Sequence, residues 1–229
     1  MIKFRDTLAR ECFFRPMLSQ IFVGISLLSS IFNATPAAMP AENVVAQKTF
    51  SMENRYPDKW VSGIFSDNIL LTLAYLRGYE KTSSVNWEAV RKPFHYEFKL
   101  DQNQVFAFHD DVLPQFKNEV VKTMNAHFSS YEGYESDGWL VGDGVCHLAS
   151  FINMVAREAG LDVVSPTNHD FAAINEVPRQ YGVAIYDVPG QGYSNEMQNL
   201  YIKNNKDKAI EIAFDYDGRD LKVSVEEAK

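Results

Sequence analysis

A cysteine held between glycines and a helical pattern constrains this chain more than any other feature. It lies in Gly142-Asp143-Gly144-Val145-Cys146-His147. Leu148, Phe151, Ile152, Val155, Ala156 and Ala159 follow at helical spacing and predict an amphipathic helix that Gly160 stops. Cys146 therefore falls in a first helical turn. There, unsatisfied N–H groups and the positive end of the macrodipole favour the nucleophilic thiolate. The flanking glycines permit a close backbone approach. The alternative reading is a small, inert cysteine that plugs the helix start.

The N-terminus bears on the compartment. Lys3, Arg5, Arg10 and Arg15 precede an apolar run from Met17 to Phe32, and small residues from Thr35 to Ala41 follow. Residues 1–41 read as a signal peptide or an N-terminal membrane anchor, the run being shorter than the ~20 residues a span requires. Either way the rest of the chain is expected outside the cytoplasm. Cys12 lies in that segment, so Cys146 has no partner for an internal disulfide in the remainder. An unpaired thiol in an exported protein is a candidate reactive group.

The 229 residues are 46% apolar with 16 Phe and 11 Tyr, enough for a sizeable core. The net charge is −8, and it becomes −10 without the four basic and two acidic residues of 1–41. That balance speaks against nucleic acid and anionic lipid surfaces as partners, leaving membrane contact to an uncleaved N-terminal segment.

The pattern predicts an α+β fold, with N-terminal helices followed by a mainly antiparallel sheet and the cysteine at the start of a central helix. Residues 42–65 read as a polar, loose lead-in and 66–229 as the domain. Asp67 is the expected cap of a helix through Ile69, Leu70, Leu73 and Leu76. Trp87–Leu100 and Val105–Phe108 read as extended. Phe116, Val120, Val121, Met124 and Phe128 share one face of a helix starting near Leu113. Strands are expected over 182–186, 200–203 and 209–216, with Asp217-Gly218 turning into a last strand.

A cysteine nucleophile needs a base within reach. His169, in the polar loop 165–170, is the candidate; a solvent-exposed loop histidine is its other reading. His147 adjoins Cys146, but neighbouring helical residues diverge by about 100°, so it reads as a pocket or surface residue. The N–H groups of Val145 and Cys146 are the expected oxyanion donors, with Asp143, Gly144, Val145 and His147 forming the pocket. Tyr131, Tyr134 and Trp139 read as cleft or core, Trp139 as core. His95, His109 and His127 have no evident partners. No metal or cofactor motif stands in the sequence: there is no Cys-x-x-Cys or His-x-x-x-His, and Gly142-x-Gly144 lacks the continuation of a phosphate loop.

The same residues resemble a known family. Gly142–Leu148 looks like the Gly-x-Gly-Val-Cys-Gln core of the VanW family. Ala159-Gly160-Leu161-Asp162-Val163-Val164, Asn168-His169, Val177-Pro178 and Asn199–Asn205 resemble its later segments. Asn68-Ile69 through Leu76-Arg77-Gly78, and Val105–Phe108, resemble its upstream ones. Asp143 and His147 depart from the pattern, and the acidic residue that follows Val-Pro in the family is missing from 181–186. The resemblance implies an exported cell-envelope protein, linked to glycopeptide resistance, that acts on peptidoglycan stem peptides by L,D-transpeptidase-like acyl transfer. A Cys peptidase and a non-catalytic wall-binding or resistance-accessory domain with a structural Cys146 are the alternatives.

Overall fold

Asp58 starts the first helix: its carboxylate accepts from Trp60 N at 2.9 Å and Val61 N at 3.1 Å, an N-cap nine residues before the one expected at Asp67. The computed structural model describes residues 43–229, so the leader reading of 1–41 and Cys12 lie outside the described residues. In chain order the first elements are β1 (Val44–Ser51), α1 (Lys59–Leu76), α2 (Trp87–Val90), β2 (Phe94–Leu100), β3 (Val105–Ala107) and β4 (Val120–Lys122). The cysteine helix α3 (Val145–Glu158) leads to β5 (Asp162–Val164) and α4 (Gly192–Met197). Then come β6 (Tyr201–Lys203), β7 (Ile210–Tyr216) and β8 (Asp220–Glu227).

This is an α+β fold with two four-stranded sheets. One has the order β1-β8-β7-β2 and is antiparallel throughout; the other has the order β4-β3-β6-β5, with only β3 and β4 parallel. The β7–β8 hairpin forms as the alternation implies. Asp217 Oδ1 closes its turn by accepting from Arg219 N and Asp220 N, both at 2.8 Å.

Four elements differ from the sequence reading. Trp87–Val90, expected to be extended, is a helical turn capped by Asn86, whose Oδ1 accepts from Ala89 N at 3.1 Å. Residues 44–51, expected to be loose, form an edge strand on β8, with side chains alternating between half-buried and exposed before Phe50 enters the core. Asp67 is a buried mid-helix residue whose carboxylate pairs with Arg91 at 2.7 and 2.6 Å. The segment 113–128 is not helical: it makes turns and the short β4, and Asn125 and Phe128 take φ values of 55° and 56°. Its apolar residues instead fill separate places, Phe116 stacking on Tyr201 at 4.7 Å and Phe128 meeting Phe108 at 5.7 Å.

Helices α1 and α3 set the position of the cysteine. From Ile64 on, α1 is buried nearly all round; among the described residues no helix is long and apolar enough to cross a membrane. Its buried polar side chains all find partners, which their burial requires. Thr72 Oγ1 meets Asn68 O at 2.7 Å and the Tyr134 hydroxyl at 3.0 Å. Asn68 Nδ2 donates to Glu135 O at 3.0 Å and Asp143 O at 2.9 Å, and its Oδ1 accepts from Glu135 N at 2.9 Å. One buried amide thus fixes both ends of the loop that precedes Cys146.

Gly144 is the N-cap of α3, at φ 94°. A Cβ there would lie 2.4 Å from Phe65 O and 2.8 Å from Phe65 Cα, so the α1 backbone itself occupies the side-chain position. Left-handed φ and contact with unyielding backbone act together. Gly144→Ala is expected to destabilise the protein by about 3 kcal/mol or more, read as a fall in the urea midpoint. Asp143→Ala, one residue away with its backbone bond to Asn68 intact, should shift the midpoint far less.

Candidate functional site

After a 3-10 turn over Arg179–Tyr181, the segment 182–185 runs beside α3 without joining a sheet. Its backbone is satisfied by a polar stripe on the helix. Asn153 Nδ2 donates to Tyr181 O at 2.8 Å. Ser150 Oγ accepts from Val183 N at 2.9 Å and donates to Cys146 O at 2.7 Å. Cys146 Sγ accepts from Ile185 N at 3.4 Å and approaches Ile185 O at 3.7 Å. Helix positions 146, 150 and 153 point one way. The strand expected over 182–186 does not form: the segment joins neither sheet, because side chains of α3 take up its backbone groups on one side.

Cys146 is half-buried and unpaired. Its thiol is pushed up to about 11, opposite to the thiolate that a helix start favours. Burial is the main cause; the nearby Asp143 carboxylate adds to it, and the Ile185 N–H only partly offsets both. A helix terminus supplies about 0.3–2 kcal/mol to an anion, which desolvation exceeds here. Asp143 is itself raised to about 6 by burial, although it accepts from Asp137 N at 3.1 Å.

Of the two expected oxyanion donors, Val145 N–H is engaged by Gly142 O at 3.2 Å. Cys146 N–H has no backbone acceptor among the described residues; it faces its own sulfur, where it weakly favours the thiolate.

The two nearby histidines are both buried, His147 at 5% exposure and His169 at 6%. His147 sits edge-on to Phe65, ring centroids 5.0 Å apart, and its imidazole is lowered to about 3, first by burial and then by Arg55 and His169. The surface role is thereby replaced by a core one. His169 lies 6.3 Å from the His147 ring and 4.0 Å from Phe171, centroid to centroid, and burial lowers its imidazole too. Neither Nδ1 has a hydrogen-bond partner. Both rings are therefore neutral at physiological pH. His169 makes no hydrogen bond to Cys146, whose sulfur hydrogen-bonds the Ile185 backbone.

The His169 loop is firmly placed. Asn168 Nδ2 donates to Gly182 O at 2.9 Å and Arg179 O at 3.2 Å. A Cβ on Gly182 would stand 2.5 Å from His169 O, so the loop packs where a side chain would be. Buried Arg55, paired with Glu176 and lying over the Phe151 ring at 5.0 Å, anchors the far end.

Of the three aromatics upstream of the motif, only Tyr134 is core. Trp139, expected there, is 90% exposed because the loop carrying it bulges outward between its Asn68-bound ends, Glu135 and Asp143, and Tyr131, just before that loop, is 87% exposed. The histidines without evident partners in the sequence all have them in the fold. His95 pairs across strands with Asp215 at 2.6 Å, His127 reaches Glu132 at 3.2 Å and Asp110 at 3.4 Å, and His109 is fully buried beside Asn199. Sequence separation hid these contacts.

No protein-family model, curated protein or solved structure matches the chain, so the site is read from its own chemistry.

The pH response of Cys146 follows directly. Alkylation by iodoacetamide should be slow at pH 7 and keep accelerating with pH toward about 11, with no plateau near pH 6. Mass spectrometry of the Cys146 peptide over a pH series checks this; rapid labelling at pH 6 would contradict it.

Proposed function

We propose that this chain is exported to the cell envelope and acts on peptidoglycan stem peptides, with Cys146 as the nucleophile of an L,D-transpeptidase-like acyl transfer. The supporting observation is local. The one thiol of the described residues is half-buried in the first turn of α3, beside an N–H without a backbone acceptor, and His169, whose Nδ1 is unpartnered, packs against His147, the next residue in the chain.

In this reading His169 accepts the thiol proton as sulfur attacks the stem-peptide carbonyl, and the oxyanion forms at Cys146 N–H. Collapse breaks the peptide bond, and the departing D-amino acid takes the proton from the imidazole. The amine of a second stem peptide then attacks the thioester, loses its proton, and returns the thiol. Because thiol and imidazole are both neutral at rest, the proton must move during attack. Sulfur must also release the Ile185 backbone before it can react.

That last contact favours a second reading, a non-catalytic wall-binding domain in which Cys146 is structural. The sulfur bonds Ile185 just as Ser150 and Asn153 bond Val183 and Tyr181.

Two substitutions separate the readings. Cys146→Ser keeps a group able to bond Ile185, and Cys146→Ala removes it. Under the catalytic reading wild-type protein modifies purified muropeptides and both variants lose that activity, while the serine variant keeps its thermal midpoint. The alanine variant should lose about 1 kcal/mol from the unmade hydrogen bond. Inert wild-type protein that sediments with insoluble peptidoglycan as well as Cys146→Ser does would establish the wall-binding reading instead.

A further inference from the structure

We infer that His109, Asp110 and Asp187 form a binding site for one divalent transition-metal ion of the Mn²⁺ or Zn²⁺ class. One ligand atom from each residue lies within 4.8 Å of the others. Even an equilateral triangle of that side has its centre only about 2.8 Å from each corner, so a small closure reaches the 2.0–2.2 Å of zinc–nitrogen and zinc–oxygen bonds.

The protonation state of His109 is the first observation beyond clustering. The ring is fully buried, with Nε2 at 3.1 Å from Gln198 O, so Nε2 carries the proton. Asn199 cannot be flipped, because its Oδ1 accepts from Phe108 N, His109 N and Leu200 N. Its amide nitrogen therefore faces His109 Nδ1, at 3.3 Å, and Nδ1 holds a lone pair. The two Asn199 amide hydrogens have closer acceptors in Asp111 O at 2.9 Å and His109 O at 3.2 Å. A buried imidazole whose N–H is fixed by a backbone carbonyl and whose other nitrogen carries a lone pair is the form a metal takes.

The second observation is a buried carboxylate oxygen without a donor, beside an Asp110 that His127 Nε2 reaches at 3.4 Å. Asp187 Oδ2 is buried with no hydrogen-bond partner. The fully buried Asn195 amide is aimed at three acceptors with two hydrogens: Asp111 Oδ2 at 2.5 Å, Val188 O at 2.9 Å and Asp187 Oδ1 at 3.1 Å. A cation supplies what the region lacks. Imidazole plus two carboxylates suits manganese or zinc better than an all-oxygen calcium or magnesium site.

The test uses the full-length chain after EDTA treatment, with Mn²⁺ as probe. The free-ion EPR signal should disappear up to one equivalent per chain and return on adding Zn²⁺. Asp110→Asn, at an exposed side chain, and Asp187→Asn should each weaken Mn²⁺ binding by more than about tenfold, the scale of effects at metal sites. Asp110→Asn should do so without lowering the thermal midpoint of the metal-free protein. Cys146→Ser should bind Mn²⁺ like wild type, which separates this site from the thiol. A signal that stays free at millimolar Mn²⁺, equal binding by both Asn variants, or uptake of Ca²⁺ alone would overturn the assignment.

Discussion

The segment from Gly182 to Val188 is the constraint on which the site depends, because it lies outside both sheets and still finds partners for its backbone. The solution has a period of two. Val183 and Ile185 turn their N–H groups to Ser150 and Cys146 on α3, while Ala184 and Tyr186 turn theirs to Thr167 O at 3.0 Å and Gln198 O at 3.1 Å. Val188 N then reaches Asn195 Oδ1 at 3.1 Å. An unpaired buried amide costs about 1–3 kcal/mol, so the segment is held by α3 on one side and by loops on the other. Cys146 is one of those fixtures, which explains why its sulfur meets backbone and not an imidazole.

The helix that carries the stripe is positioned just as tightly. Gly144 brings the start of α3 onto the α1 backbone at Phe65, and Asn68 fixes the approach by holding Glu135 and Asp143. On the other face, Phe151 stacks on Phe50 of β1 with ring centroids 4.0 Å apart. Glycine spacing, a buried amide and an aromatic pair together leave α3 little freedom to rotate. The orientation of Cys146 is thus a property of the whole α1–α3 crossing. The glycines of Gly142-Asp143-Gly144 serve that crossing first: a Cβ at 142 would press on Phe128 at 3.1 Å, as one at 144 would on Phe65.

Local signals were legible wherever the partner was also local. The α3 stripe and its Gly160 stop, the alternation of Ile210, Ile212, Phe214 and Tyr216, and the Asp217-Gly218 turn each state a structure within a few residues. The α1 boundary was misplaced because Asp58 and Asp67 are equally good caps by type, and only the fold pairs Asp67 with Arg91. The apolar spacing over 116–128 imitates a helix, yet its side chains go to different parts of the core, and left-handed residues interrupt it. Edge strand β1 has a period-two pattern too polar to stand out until β8 is beside it. At the site, the position of Cys146 was readable, whereas its protonation was not. The helix start is visible in the sequence, but the burial that outweighs it comes from residues 181–185.

That segment also joins the two chemical features of the molecule. Ile185 holds the Cys146 sulfur, and Asp187, two residues on, carries the buried oxygen without a donor. Between them Tyr186 N–H is fixed by Gln198 O, the same carbonyl that fixes the His109 ring. A displacement that freed the thiol from Ile185 would pull on Asp187 and on the carbonyl orienting His109. Conversely, a cation drawing Asp187 toward His109 would tighten the stretch of backbone that keeps the thiol buried and protonated. Ile185 and Asp187 are thus one residue apart, and that residue shares the Gln198 carbonyl with His109.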